Sequence, residues 1–128
     1  MFYLTKENVL LIHKNVCEIF KNREGILHEG QLESLCAHIQ NDEYYPTIYD
    51  KLAHFFFGLV QFHIFVDANK RTALLCGLLL VAGNSNQFGD YNVEKSSLFL
   101  EQLALSVATG KTKEDELPEI LKQYFGGV

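Results

Sequence analysis

The chain has 128 residues, 48% apolar and 21% charged, so it can bury a core of its own and disorder is excluded. Eleven Lys and Arg stand against sixteen Asp and Glu, and the net charge of −5 argues against non-specific nucleic-acid binding, which needs a basic excess. The longest uncharged apolar run, Thr72 to Ala82, falls far short of the ~20 residues of a membrane span, and Met1 to Glu7 lacks the basic-then-apolar order of a signal peptide.

In chain order, Thr5 has the side chain of a helix N-cap. Val9, Ile12, His13, Val16, Ile19 and Phe20 follow at the spacing of one helical face, which Gly25 is expected to end. Glu29 and Gln31 open a second helix with Leu32, Leu35, Cys36 and Ile39 on one side. Asn41 to Tyr49 is polar and aromatic and contains Pro46, which predicts a loop or a small β-hairpin. From Asp50 to Phe65 nearly every side is apolar, as in a helix buried all round, and a second buried helix runs from about Asn69 to Gly83. Gly83-Asn84-Ser85-Asn86 is a stop. Val93 to Val107 repeats a helical pattern through Leu98, Leu100 (or Phe99), Leu103 and Val107, and Thr109-Gly110 ends it. Glu114 to Phe125 makes a last helix with Leu117, Ile120, Leu121 and Tyr124 inward. The expected architecture is all-α, one domain over residues 1–128 with about six helices. The three widely spaced cysteines, Cys17, Cys36 and Cys76, form no C-x-x-C pair and read as small buried hydrophobes of a reducing, cytoplasmic compartment.

Between the two central apolar segments stands His63-Ile64-Phe65-Val66-Asp67-Ala68-Asn69-Lys70-Arg71-Thr72. Five different polar functions in nine positions are costly beside a core unless each finds a partner. The set matches what phosphoryl transfer requires, namely a base, a carboxylate for Mg²⁺, and cationic or amide donors converging on oxyanions. A helix beginning near Asn69 directs free N–H groups and the positive end of its dipole at the preceding loop. Lys70 and Arg71 add positive charge at that same end, where cations are disfavoured, so an external anion is expected there. Each residue also has a plainer reading. His63 could be a packed core histidine, Asp67 an N-cap, Asn69 a loop-closing Asx turn, and the Lys-Arg pair a solvated helix start. Phe65 is expected to anchor the loop inward. His13, His28, His38 and His54 have no metal-ligand spacing and read as structural or surface groups.

The stretch resembles the signature of the Fic/Doc family, His-x-Phe-x-Asp/Glu-Gly/Ala-Asn-Gly/Lys-Arg, and is most similar to its Doc branch because Ala68 and Lys70 stand where most Fic proteins have glycines. Gly30-Gln31-Leu32-Glu33-Ser34, Tyr45-Pro46-Thr47, Lys51-Leu52-Ala53 and Ala108-Thr109-Gly110 extend the resemblance over nearly the whole chain. It implies a Fic-fold domain binding ATP with Mg²⁺. In that picture His63 is the base that takes a proton from a target hydroxyl, and Asp67 holds the metal. Ala68, Asn69, Lys70 and Arg71 hold the nucleotide, with Arg71 also acting on the transferred group. Tyr44, Tyr45 and Thr47 would belong to a hairpin flap that docks the target peptide. Two departures from the general Fic pattern bear on the reaction. A second arginine is replaced by Leu74, and Lys70 replaces a glycine of the phosphate cradle. In Doc-like proteins the latter change goes with a reversed nucleotide. The resemblance therefore implies a protein kinase that phosphorylates Ser or Thr, with elongation factor Tu as the target class. Protein adenylylation (AMPylation) is the alternative within the family, and a non-catalytic Fic-fold binding module the alternative outside enzymology. The self-inhibitory pattern Ser/Thr-x-x-x-Glu-Gly/Asn is not matched, since Ser97-x-x-x-Glu101 is followed by Gln102 and Thr112-x-x-x-Glu116 by Leu117. A toxin restrained by a separate antitoxin follows as the expectation, the antitoxin covering a groove lined by Lys70, Arg71 and residues 41–49.

Overall fold

In the computed structural model, which describes residues 1–126, Thr5 caps α1 (Lys6–Phe20) through a reciprocal box. Its hydroxyl accepts from the Asn8 N–H at 3.1 Å while the Asn8 side chain accepts from the Thr5 N–H at 3.0 Å. The helix stops four residues before Gly25, because Lys21 turns into the left-handed region at φ 56° and its N–H returns to the Cys17 carbonyl. Only Val9, His13, Val16 and Cys17 of α1 are buried, and Ile19 and Phe20, expected inside, are exposed. Helix α2 (Glu29–His38) buries Leu32, Leu35 and Cys36, with Ile39 following at its C-cap, as the periodicity requires.

Of the loop and the small β-hairpin anticipated over residues 41–49, the loop forms and the hairpin does not. The Asn41 side chain accepts from the Glu43 and Tyr44 N–H groups, and its carbonyl accepts from Tyr45 N–H, closing a local turn in place of a strand pair. From the core side, the buried Lys51 Nζ donates to the Ile39 carbonyl at 2.6 Å and the Asp42 carboxylate at 2.8 Å, pinning the same segment. Tyr44 is exposed, Tyr45 stacks on His54 with ring centroids 4.6 Å apart, and Thr47 caps α3 (Ile48–Gln61) through Asp50.

Helix α3 and helix α4 (Asn69–Gly83) form the centre of the bundle. Helix α1 packs on α4, α2 on α3, α5 (Val93–Ala108) on both, and α6 (Leu117–Phe125) on α3. Short 3-10 turns at Ser85–Gln87 and Glu114–Glu116 precede the last two helices. Phe55, Phe56 and Leu59 of α3, Cys76 and Leu80 of α4, Leu100 and Val107 of α5, and Phe125 of α6 are fully buried together. Each such side chain contributes ~1.5–3 kcal/mol of transfer free energy. Gly58 permits the close approach of α2, because a Cβ there would lie 2.7 Å from Leu35 Cδ1. Leu98, expected inward on α5, instead faces out. All three cysteines are free and buried. No helix among the described residues is long and apolar enough to cross a membrane.

Candidate functional site

Helix α3 ends at Gln61, and His63 reverses the chain with φ 49°, a left-handed conformation that is uncommon outside glycine. The chain then runs extended beside residues 25–28. Leu27 and His28 N–H donate to the Ile64 carbonyl, Val66 N–H donates to the Gly25 carbonyl, and Ile26 and Phe65 form one antiparallel bridge. Gly25 is required for this contact. Its φ is 139°, and a Cβ there would meet Val66 Cγ2 at 2.8 Å. Phe65 is buried and anchors the loop, as expected.

Two histidines outside the motif hold its backbone. The His28 ring donates through Nδ1 to the His63 carbonyl at 2.9 Å. His13 lies buried, stacked on Phe65 at 3.7 Å, and donates through Nε2 to the Asp67 carbonyl at 2.9 Å. In both pairs the carbonyl can only accept, so the ring nitrogen carries the proton.

The loop closes at Ala68, the N-cap of α4, with φ 65°. Asn69 clamps it from the first turn of the helix. Its Nδ2 donates to the Phe65 carbonyl at 3.0 Å, and its Oδ1 accepts from the Phe65 N–H at 3.1 Å. One N–H and one lone pair of that amide remain for other partners. Asp67 is met from three sides. Oδ1 accepts from the Ala68 N–H at 2.9 Å, while Oδ2 accepts from the Arg23 N–H and the Asn22 Nδ2, each at 3.2 Å. The Arg23 backbone, the Ala68 backbone, the Asn22 amide and the Arg23 charge together hold the Asp67 carboxyl below its usual range. Arg71 stacks its guanidinium 4.2 Å from the centre of the Phe20 ring and donates to Asn22 Oδ1 at 3.1 Å. The exposed side chains of His63 and Lys70 form no hydrogen bond within the described residues.

One cleft of about 690 Å³ brings these groups together. His63, Asp67, Ala68, Asn69, Lys70 and Arg71 all line it, and Leu74, Leu105 and Ala108 form an apolar wall. The N–H groups of the first turn of α4 have no partner within the helix and open on this space. Leu74, where the general Fic pattern has its second arginine, is part of the lining. Tyr44, Tyr45 and Thr47 are not part of that lining. Sequence reasoning passed over Asn22 and gave Phe20, Gly25 and His28 other parts, because all four act over 35 or more residues of chain and leave no local pattern. For His13 there was one signal, a polar side chain on the apolar face of α1.

This loop, held between two central helices of an all-α domain, is the architecture of a family. The Fic/DOC family model matches residues 3–81, more than half of the chain, and the chain belongs to that family. It is also similar to the protein kinase doc of Escherichia phage P1, with 27% identity over 129 residues and 98% of each chain covered.

Proposed function

We propose that this protein transfers the γ-phosphate of ATP to a Ser or Thr hydroxyl of a protein substrate. The observation that carries the reading is the placing of the His63 ring, which has no partner among the described residues, with the first turn of α4, Lys70 and Arg71 on one cleft. In this reaction His63 accepts the hydroxyl proton as the oxygen attacks the γ-phosphorus, and the bond from that phosphorus to the β-phosphate oxygen breaks to release ADP. The α4 N–H groups, Lys70 and Arg71 stabilise the equatorial oxygens as charge develops on them. The cleft volume lies within the range of small-molecule sites, and its apolar wall suits a base.

Asp67 fits Mg²⁺ as its single protein carboxylate, since Oδ1 accepts only one hydrogen bond and keeps a lone pair, and Mg²⁺ commonly takes one carboxylate plus phosphate oxygens. Bound there, the ion would neutralise phosphate charge. Ala68 and Asn69 hold the loop in the shape that presents these groups.

Lys70 and Leu74 favour γ-phosphate transfer over AMP transfer. Lys70 supplies charge where a bare glycine would cradle phosphate, and Leu74 leaves no second arginine clamp. The likeness to a protein kinase supports the phosphotransfer, and from the resemblance of the motif to the Doc branch we extend the proposal to a toxin that arrests translation by phosphorylating elongation factor Tu and is restrained by a separate antitoxin.

The test incubates the purified protein with elongation factor Tu and ATP labelled at either the γ or the α position. Label from the γ position alone is expected. Transfer of α label would replace the reading by adenylylation, and no transfer to any protein of a bacterial lysate would favour a binding module. His63→Ala is expected to lower transfer ~10²–10⁴-fold, as loss of a positioned base does. The exposed ring makes no side-chain bond among the described residues, so the helical circular dichroism should persist.

A further inference from the structure

The stretch from Phe20, the last residue of α1, to Arg23 meets both the Asp67 carboxylate and the Arg71 guanidinium of the motif. Phe20 supports the Arg71 guanidinium from below. Asn22 then joins both charges through one planar amide, with Nδ2 donating to Asp67 Oδ2 at 3.2 Å and Oδ1 accepting from Arg71 Nη1 at 3.1 Å. The Arg23 N–H adds a second donor to the same carboxylate oxygen. Asn22 is itself half-buried, lines the cleft, and has its own N–H tied to the Cys17 carbonyl behind the left-handed Lys21. Its backbone is therefore held independently of its side chain.

An amide is chemically suited to this place. Asp67 and Arg71 stand four positions apart across the start of α4, and a direct ion pair between them would turn each away from a ligand. The Asn22 amide satisfies the inner side of both, because it offers a donor to the anion and an acceptor to the cation. An aspartate at the same position could accept from Arg71 but would face Asp67 with a like charge. An alanine would hold neither.

We infer that Asn22 is a positioning residue that sets the carboxylate of Asp67 and the guanidinium of Arg71 at a fixed separation for a bound nucleotide phosphate. This inference rests on the phosphotransfer reading for its catalytic consequence, but the positioning itself can be measured without turnover. Asn22 does not touch the reacting atoms, so its removal leaves the charges that bind the triphosphate and spoils their alignment. The loss should fall on kcat more than on the KM for ATP, because orientation is realised at the transition state.

The experiment compares wild type, Asn22→Ala and Asn22→Asp in the full chain. Order of the Arg71 side chain is read from ¹⁵N relaxation of its Nε–Hε group, and phosphate transfer is read at saturating and limiting ATP. For Asn22→Ala we expect Arg71 to lose order, kcat to fall ~10–100-fold, and the KM for ATP to change by less than about threefold. For Asn22→Asp the Arg71 order is retained while kcat still falls, because the acceptor survives and the donor to Asp67 does not. A residue that merely stabilised the fold would not separate these two readouts. Melting temperatures should stay within about 5 °C of wild type, given the modest net worth of two partly exposed hydrogen bonds. Unchanged Arg71 order in Asn22→Ala, or equal kcat in all three proteins, overturns the inference. If the wild type transfers no phosphate while Asn22→Ala still loosens Arg71, the positioning stands and the phosphotransfer reading falls.

Discussion

Removing the Asn69 side chain should destabilise the protein before it touches any chemistry. Both polar groups of the Phe65 backbone are paired with the Asn69 amide, and Phe65 is only 2% exposed. In Asn69→Ala the N–H and the C=O of Phe65 lose their partners within a largely dry loop. Each buried group left unpaired costs ~1–3 kcal/mol, and alanine returns ~0.5 kcal/mol of helix propensity at the start of α4. The expected net loss is ~2–4 kcal/mol. Unfolding entropy near 2.1 cal/mol/K per residue gives ~270 cal/mol/K for a chain of this length, so the melting temperature should drop by ~7–15 °C. Asn69→Asp keeps the acceptor for the Phe65 N–H and places an anion at the positive end of α4, and should lose only ~1–2 kcal/mol. Thermal and urea melts followed by far-ultraviolet circular dichroism measure both variants. If Asn69→Ala melts within ~3 °C of wild type, corresponding to under ~1 kcal/mol, the amide is not the clamp of the loop. Its contribution would then have to come from contact with ligand.

Gly58→Ala forces a methyl group against Leu35 and Phe62 where α2 meets α3, and should cost ~1–3 kcal/mol in a urea melt. Transfer activity measured well below its melting temperature should persist, and selective loss of activity without loss of stability would contradict the placing of Gly58 in a packing role. For pH, the Asp67 carboxyl is held below its ordinary value by the Arg23 backbone first, then by Ala68 and Asn22. A lowered folded value stabilises the protein fully above about pH 4, and that stabilisation is lost as the pH falls through the lowered value. The stability gap between wild type and Asp67→Asn should therefore be widest near pH 7 and close in acid. A gap that stays constant down to about pH 2 would show that the carboxylate charge is not stabilised by these donors.

Much of this molecule is legible in its sequence because helices are local. The 3.6-residue pattern defines α2 and α5 to within a residue or two, the apolar run between the motif and the Gly83-Asn84 stop defines α4, and Thr5 marks the start of α1 by a side chain that bonds three residues along. The motif is legible for a related reason, since its chemistry is concentrated in ten consecutive positions from His63 to Thr72. Residues 41–47 took the loop and not the hairpin of the two readings open to them, because Asn41 closes a turn locally and Lys51 fixes it from the core. What failed was an inference about a point that packing between helices decides. Leu98 fits the helical face of its neighbours but points to water, because the partners of α5 are α3 and α4 and their bearing is set by packing. The site divides along the same line. Sequence singled out the candidate side chains of the motif, whereas tertiary structure decided what holds each of them. Asn69 is turned on to Phe65, Asp67 is met by Arg23 and Asn22, Arg71 rests on Phe20, and His13 and His28 hold the loop from α1 and from the start of α2. Apart from the Asn69 clamp, which reaches only four positions back, those supports lie 35 to 54 positions from their partners, and hydrogen bonding depends on distance in space, which one-dimensional spacing does not encode.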